Sequence, residues 1–230
     1  MRLCSFKIHL AAAAAVAVTY TASSAMAGTI ATWTFETTAP TTAGPLAPEV
    51  GAGSATGSHV GASTYSSPAG NGSAHSFSSN TWAVDDYYQF QVSTTGQSGI
   101  GFQFDQTSSG TGPRDFKVQY STDGSTFTDV NTYSVLANAA PNPVWNASTA
   151  SPLYTTFVNL GTNSALDNQA AVYFRLVQTS AVSANGGTVA TGGTDRVDNV
   201  SVVTNVPEPA SLFLAFVAAL SFAGIRRTKG

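Results

Sequence analysis

The residues that most often carry out hydrolysis are sparse in this sequence and poorly spaced for it. No Gly-x-Ser-x-Gly nucleophile motif is present, and Ser98 in a Gly-Gln-Ser-Gly run does not have that spacing. After residue 27 only His59 and His75 supply imidazole groups, and both have polar, glycine-rich neighbours. A Ser-His-Asp site needs a histidine that an acid orients, and no pattern here indicates one, so such a site is only a formal alternative. Neither histidine lies in an HExxH or cysteine-containing zinc motif.

Paired carboxylates would support glycoside hydrolysis, which uses two acids about 5 to 10 Å apart. Asp85 and Asp86 are adjacent and precede an alternating run, where we expect them to cap a turn. Glu36 and Glu49 are the only glutamates between residues 28 and 205. No aromatic pattern indicates a long cleft that would distort a sugar, so hydrolysis is an alternative rather than the prediction.

The charges divide unevenly along the chain, and the division argues against a nucleic-acid partner. Residues 28–205 hold four basic and eleven acidic side chains, a net charge of −7, whereas the whole chain has a formal net charge of −3. So few cations cannot neutralise a run of phosphates, and we expect no nucleic acid to bind. The one cysteine, Cys4, precedes the first apolar run, so residues 28–205 contain no thiol and no disulfide.

The elements that would position these residues are predicted to be β-strands. Apolar and polar residues alternate with a period of two, which places the apolar set on one face of a sheet and the polar set in water. The alternating runs are 30–36, 88–93, 100–105, 116–121, 172–177 and 197–203. They predict an all-β, antiparallel β-sandwich of the jelly-roll type. Small and polar residues predict surface loops over 44–80, 137–152 and 183–194.

Residues 1–27 have the three parts of a secretory signal peptide. These parts are a positive start (Arg2 and Lys7), an apolar run (10–18) and a small-x-small cleavage site (Ala25-Met26-Ala27). The apolar run is about half of the roughly 20 residues that span a bilayer, which favours cleavage over an N-terminal membrane helix. We therefore expect export by the Sec machinery and cleavage by signal peptidase after Ala27.

The last 25 residues form a second segment in three parts. These parts are Val206-Pro207-Glu208-Pro209, the uncharged residues 210–225, and a basic end that includes Arg226 and Arg227. The two prolines keep the motif extended. A helix over residues 210–225 would be about 24 Å long, which suits one transmembrane helix with its basic end in the cytoplasm. Composition alone therefore predicts a C-terminal membrane anchor.

This ending resembles the PEP-CTERM sorting signal, although the resemblance covers only about the last 25 residues. It implies that a membrane-embedded exosortase recognises the Pro-Glu-Pro motif and processes the protein during export. It also implies a Gram-negative bacterium that makes exopolysaccharide or biofilm, with a transient inner-membrane anchor followed by a secreted, cell-surface or matrix location. An ordinary single-span anchor after a proline-containing linker is the alternative.

A second resemblance starts from the hairpin that Asp123 and Gly124 are expected to close. Alternating residues flank this pair, and positive φ values at such a pair suit a tight hairpin turn. Three features resemble galactose-binding-like, discoidin-type jelly rolls: this hairpin, Trp82 with the Asp-Asp-Tyr-Tyr run after it, and the closing run 196–202. Such domains serve as carbohydrate-binding modules, adhesion domains or spacers, so the fold leaves the function open.

The jelly-roll resemblance also implies a structural calcium ion between the end of the first strand and the last strand. Glu36 and Asp198 are the matching positions, and the backbone oxygen ligands stay unassigned. Eleven carboxylates and many loop carbonyls supply the oxygen ligands that a hard cation prefers. The alternative is that Glu36 pairs with Arg196 or faces water. No other cofactor is expected.

Aromatic side chains in loops would let the domain stack on pyranose rings, with polar groups around the sugar hydroxyls. Trp82, Trp145 and Tyr154 are the candidates, and Trp145 is expected to be the most exposed. The alternative for Trp82 is a place in the core, because a tryptophan in a sandwich is usually buried.

The sequence therefore predicts a signal peptide over 1–27, a β-sandwich ectodomain over 28–205 and a sorting tail over 206–230. The predicted function is a non-catalytic surface or matrix protein that binds polysaccharide. A structural matrix protein without a specific ligand is the first alternative, and a glycoside hydrolase is the second.

Overall fold

The computed structural model describes residues 28–204, which form two antiparallel β-sheets. The strands, in chain order, are β1 (Gly28–Trp33), β2 (Val50–Gly51), β3 (Gly53–Ser58), β4 (Tyr65–Ser66), β5 (Phe77–Ser79), β6 (Tyr87–Val92), β7 (Ile100–Ser108), β8 (Asp115–Ser121), β9 (Thr128–Ser134), β10 (Thr155–Leu160), β11 (Val172–Gln178) and β12 (Asp195–Thr204). Two short 3-10 helices, Pro152–Tyr154 and Ser164–Leu166, are the only helices in the part of the chain that the structure describes.

The strands divide into a seven-stranded and a five-stranded sheet. The seven-stranded sheet has the order β10-β7-β12-β1-β2, and β5 joins it beside the start of β12 with β4 outside β5. The five-stranded sheet has the order β3-β6-β11-β8-β9. Consecutive strands pair in β1–β2, β4–β5 and β8–β9, whereas the central pairs β7–β12, β6–β11 and β8–β11 join distant parts of the sequence.

The core lies between the two sheets and is mainly aromatic. Across it the rings of Phe102 on β7 and Phe174 on β11 stack with centroids 4.6 Å apart. The Trp33 ring on β1 meets Phe90 on β6 edge-on at 5.4 Å. All four side chains are 0% exposed, so burial of large rings from both sheets holds the sandwich closed.

The predicted all-β sandwich is confirmed, and the alternating runs lie in its central strands. Runs 88–93, 100–105, 116–121, 172–177 and 197–203 correspond to β6, β7, β8, β11 and β12, within a few residues at each end. β1 differs, because it spans Gly28–Trp33 and ends before Phe35, which has a φ of 57°.

The prediction of long surface loops over residues 44–80 is wrong, because this stretch contains β2, β3, β4 and β5. Strand β3 lacks alternation since Ala55 is its one buried apolar residue. It pairs with β6 through the backbone, and a Cβ on Gly53 would lie 2.3 Å from the Gln91 carbonyl oxygen. Small residues here permit close packing of strands instead of marking a loop. Strand β10 was also not predicted.

The predicted signal peptide, Pro-Glu-Pro motif and C-terminal helix lie outside the described residues. Within residues 28–204, no helix has the length and apolar character needed to cross a membrane.

Candidate functional site

The three aromatic residues predicted to contact sugar are buried. Trp82, Trp145 and Tyr154 are 6%, 3% and 3% exposed. Both indole nitrogens donate to backbone carbonyls, from Trp82 to Ser79 at 3.0 Å and from Trp145 to Ala69 at 2.7 Å. The expectation that Trp145 is exposed is therefore wrong, because its ring packs edge-on against Tyr154 at 5.2 Å. For Trp82 the core alternative is confirmed.

The two predicted calcium ligands contact the same loop, residues 70–75. The Glu36 carboxylate accepts hydrogen bonds from the backbone N–H groups of Ala74 and His75, at 3.1 and 2.7 Å. Asp198 Oδ2 accepts from Asn71 N at 2.8 Å and from Ser73 Oγ at 2.6 Å. The end of β1 and the strand β12 are thus linked through this loop.

Asp198 has one oxygen that the described residues leave without a partner. Its side chain is fully buried, and Oδ1 receives no hydrogen bond within residues 28–204. Burial raises the pKa of Asp198 to about 6. An unused buried carboxylate oxygen suits a hard cation. In the same range, however, no three His, Cys, Asp or Glu side chains converge as a metal site, so further ligands would have to be backbone oxygens.

A Ser-His-Asp arrangement that sequence reasoning did not find lies beside β5. His59 Nδ1 is 2.9 Å from Asp86 Oδ2, and His59 Nε2 is 3.0 Å from Ser79 Oγ. Asp86 is fixed in turn by the backbone N–H groups of Val60 and Ala83, each at 2.7 Å. These contacts match the order of groups in a hydrolase triad.

The arrangement is sealed from solvent, which distinguishes it from an active site. Ser79 is 1% exposed, its Oγ lies 3.0 Å from the buried Tyr88 hydroxyl, and the Trp82 ring packs against His59 with centroids 4.6 Å apart. Burial lowers the pKa of His59, so the neutral ring donates from Nδ1 to Asp86 and accepts at Nε2. A substrate has no access to Ser79 Oγ, and the cluster is a buried structural network.

The outer face of the five-stranded sheet, meaning the face that points away from the core, carries a continuous polar row. The strand register places five side chains side by side across all five strands: Thr56, Gln89, Arg175, Gln119 and Asp129. We call these five residues the Arg175 row. Gln119 Nε2 donates to Asp129 Oδ1 at 2.6 Å, and Arg175 Nε donates to Gln89 Oε1 at 2.8 Å.

Aromatic rings flank the centre of this row. The guanidinium carbon of Arg175 lies 4.0 Å from the centroid of the Tyr87 ring and 3.5 Å from that of the Phe127 ring. Both contacts are within cation–π distance. Tyr173, one position along β11 from the buried Phe174, also points outward. A surface depression here is lined by Asp85, Tyr87, Lys117, Gln119, Arg175 and Val177.

The outer face of the seven-stranded sheet has a much simpler surface. The row that crosses its centre consists of Val50, Thr32, Ser201, Gln103 and Phe157. Phe157 is 48% exposed and lies at the edge on β10. This row has one amide and one aromatic side chain and no charged group, unlike the Arg175 row of the five-stranded sheet.

The alternation in the sequence predicts that Gln89, Gln119 and Arg175 face away from the core. It predicts only that this polar side lies in water, not that the three side chains lie next to one another. The missing information was the strand order, because β6, β8 and β11 are not consecutive in the sequence. Phe127 belongs to the predicted hairpin and lies just before β9, but its contact with Arg175 on β11 depends on the strand order and has no signal in the alternation.

Comparisons with known proteins give remote similarities only. The sequence matches no protein-family model and no curated protein. One similar structure is the CBM22-1–GH10 part of xylanase 10B from Clostridium thermocellum with xylohexaose (13% identity, TM-score 0.48, 80% of this chain). This chain spans 30% of that chain's length. Others are the CBM22-2 xylan-binding domain of Paenibacillus barcinonensis Xyn10C (10%, 0.43) and the K2 adhesin domain of Lys-gingipain (15%, 0.43). This chain matches each over 76% of its own length and 98% of theirs.

Proposed function

We propose that residues 28–204 form a non-catalytic, jelly-roll polysaccharide-binding domain whose ligand lies across the outer face of the five-stranded sheet. The observation that carries the proposal is the Arg175 row with its flanking rings, Tyr87 and Phe127. Aromatic rings bind the apolar faces of sugars, while amide and guanidinium groups bind hydroxyls. The row across the centre of the other outer face contains no guanidinium group.

The dimensions of the row suit a chain rather than a single sugar. Neighbouring strands lie about 4.8 Å apart, so five strands extend about 19 Å from the first to the last. Thr56 and Asp129 mark the two ends of the row. Residues 43–46 pair through the backbone with the outer edge of β3 beside Thr56, whereas Asp129 is exposed on the edge strand β9. A polymer on this face can therefore extend past Asp129.

Binding without hydrolysis is favoured by the state of the carboxylate in the row. A glycosidase needs a general acid whose pKa is raised. The pKa of Asp129 is instead lowered, first by the hydrogen bond from Gln119 and then by the one from Lys117. This carboxylate stays ionised and serves to orient Gln119 and Lys117.

The test of this function is a panel of neutral and acidic polysaccharides in affinity gel electrophoresis with the full chain. Gln119→Ala removes an amide from the Arg175 row, and Gln103→Ala removes the matching amide from the opposite outer face. Loss of one hydrogen-bonding group predicts about three- to tenfold weaker retention for Gln119→Ala and no change for Gln103→Ala. No retention by any polysaccharide would leave the structural matrix protein as the better account.

We also propose that the ends of the chain direct it to the cell surface: Sec export and signal peptidase at residues 1–27, and exosortase at the Pro-Glu-Pro motif. The domain would then act in the exopolysaccharide or biofilm of a Gram-negative bacterium. Mass spectrometry of the secreted protein tests this, with a start at Gly28 and a C-terminus upstream of Gly230 expected. An intact Gly230 on the secreted form contradicts the sorting proposal.

A structural calcium ion at Asp198 is a separate proposal, supported by the unpartnered Oδ1 atom. The ion would neutralise a buried carboxylate and join the end of β1, through Glu36 and the loop 70–75, to β12. Calcium should raise the melting temperature of the wild type and leave Asp198→Asn unchanged. An equal melting temperature with calcium and with chelator would remove the proposal.

A further inference from the structure

Arg175 differs from the neighbouring cations of the five-stranded sheet in having no carboxylate partner. Arg114 Nε lies 2.8 Å from Asp115 Oδ1, and Lys117 Nζ lies 3.1 Å from Asp129 Oδ1. Within residues 28–204, no carboxylate comes within 4.0 Å of the Arg175 guanidinium. Asp85 lines the same depression but stays outside that distance, so it does not neutralise the cation.

The neutral groups around Arg175 fix its orientation without using its full donor capacity. The Tyr87 and Phe127 rings lie over the guanidinium, and Gln89 Oε1 accepts from Nε. The described residues provide no acceptor for the two terminal nitrogens, Nη1 and Nη2, and neither atom is sealed from solvent. The guanidinium therefore has a fixed orientation and two free terminal donors, whose spacing suits parallel hydrogen bonds to the two oxygens of a carboxylate.

We propose that the Nη1 and Nη2 edge of Arg175 binds the carboxylate of a uronic acid residue, so that the ligand is an acidic polysaccharide. This inference rests on the proposed function and names the class of its ligand. The ring contacts reduce the hydration of the guanidinium and hold its plane, which lowers the cost of forming two parallel hydrogen bonds. The flanking amides of Gln89 and Gln119 would bind sugar hydroxyls on either side.

The domain's net charge of −7 does not oppose this contact strongly at physiological salt. Charges separated by more than about 8 Å are largely screened at that ionic strength. Two carboxylates of the sheet are already paired, Asp115 with Arg114 and Asp129 with Lys117. Recognition of a carboxylate therefore depends on short-range hydrogen bonds from Nη1 and Nη2 of Arg175 rather than on the total charge of the domain.

The experiment compares polygalacturonate and alginate with the same polymers after reduction of their carboxyl groups, using the full chain. The wild type should bind the acidic forms about ten- to one-hundredfold more tightly, the range expected of hydrogen bonds to a charged group. Arg175→Gln should remove this preference. Arg175→Lys keeps the positive charge but lacks the paired terminal nitrogens of the guanidinium, so it should lose most of the preference. Arg114→Gln changes the net charge equally at a distance from the row and should keep the preference.

Equal binding of the acidic and reduced polymers by the wild type would overturn the inference while leaving polysaccharide binding intact. Equal binding of dextran sulfate and polygalacturonate would also overturn it, because bulk charge would then explain the affinity. Binding of neither form, nor of any polymer in the panel, would overturn the proposed function as well. Melting curves identify any variant that fails to fold. The comparison of acidic with carboxyl-reduced polymers on the wild type tests the inference without any variant.

Discussion

At the scale of single residues, His59 is the polar side chain on which the buried network beside β5 depends. It joins Asp86 to Ser79 with two hydrogen bonds, and its side chain is 1% exposed. His59→Ala leaves a buried carboxylate and a buried hydroxyl without this partner, so we predict a loss of about 2–4 kcal/mol in unfolding free energy. Urea denaturation measures this loss.

His75→Ala is the matched control for that prediction. His75 Nδ1 has one hydrogen-bond contact, with Ser67 Oγ at 3.1 Å, and its side chain is only partly buried. We expect a loss below about 1 kcal/mol. Equal effects of the two substitutions would contradict the structural role given to His59.

Asp195 is the residue from which a pH dependence follows. It is fully buried, and burial raises its pKa well above the ordinary 3.8. Ser108 Oγ lies 2.6 Å from the Pro113 carbonyl oxygen and 2.8 Å from Asp195 Oδ2. Since the hydroxyl has one proton, a protonated Asp195 that donates to Ser108 Oγ satisfies both contacts. Asparagine at position 195 would donate in the same way.

Because the folded state holds this proton more tightly than the unfolded state, the stabilisation is complete below pH 3.8 and is lost as the pH rises through the folded-state pKa. Asp195→Asn should therefore gain stability relative to the wild type as the pH rises above about 4. Urea denaturation at a series of pH values from about 4 upward measures the difference. A constant difference would mean that Asp195 is ionised in the fold.

At the scale of elements, the connection between β8 and β9 positions Phe127 beside Arg175. It has six residues, and Asp123 Oδ1 accepts from the backbone of Ser125 and Thr126, both at 2.8 Å. Of the expected Asp123-Gly124 pair, only Gly124 has a positive φ, 71°. The predicted hairpin is confirmed, but its connection is longer than a two-residue turn.

Gly124→Ala tests this connection. A Cβ at Gly124 would lie 3.1 Å from Tyr173 Cζ and would require a left-handed backbone, so we predict a loss of about 1–2 kcal/mol in unfolding free energy. Gly192→Ala is the control, because an added Cβ there meets nothing within 4 Å. Its effect should stay within about 0.5 kcal/mol. Similar losses for both variants would contradict this account.

The elements also show how far the sequence predicts this domain. Strands β6, β8 and β11 follow from alternation because each buries one face, such as Phe116 and Val118 on β8. Strand β3 does not, because serine and glycine give no apolar period and its position depends on pairing with β6. The candidate site combines both cases. The alternation predicts that Arg175 faces outward, but it does not predict which side chains lie beside Arg175 on the neighbouring strands.

At the scale of the whole molecule, the two outer faces divide the functions proposed here. The loop 70–75 links the end of β1 to β12, both in the seven-stranded sheet, and is the site of the calcium proposal. The five-stranded sheet presents the Arg175 row and its aromatic rings. In the proposed function, one face of the sandwich contacts a polymer ligand, and the aromatic core holds the two sheets together.

Hydroxyl-radical footprinting of the full chain, with and without the tightest-binding polysaccharide of the panel, tests the location of the binding face most directly. The ligand should reduce oxidation of Tyr87, Phe127 and Tyr173, which lie on the outer face of the five-stranded sheet. Phe157, 48% exposed on the opposite sheet, is the internal control and should be unchanged. Protection of Phe157 with no change at Tyr87 and Phe127 would contradict the account.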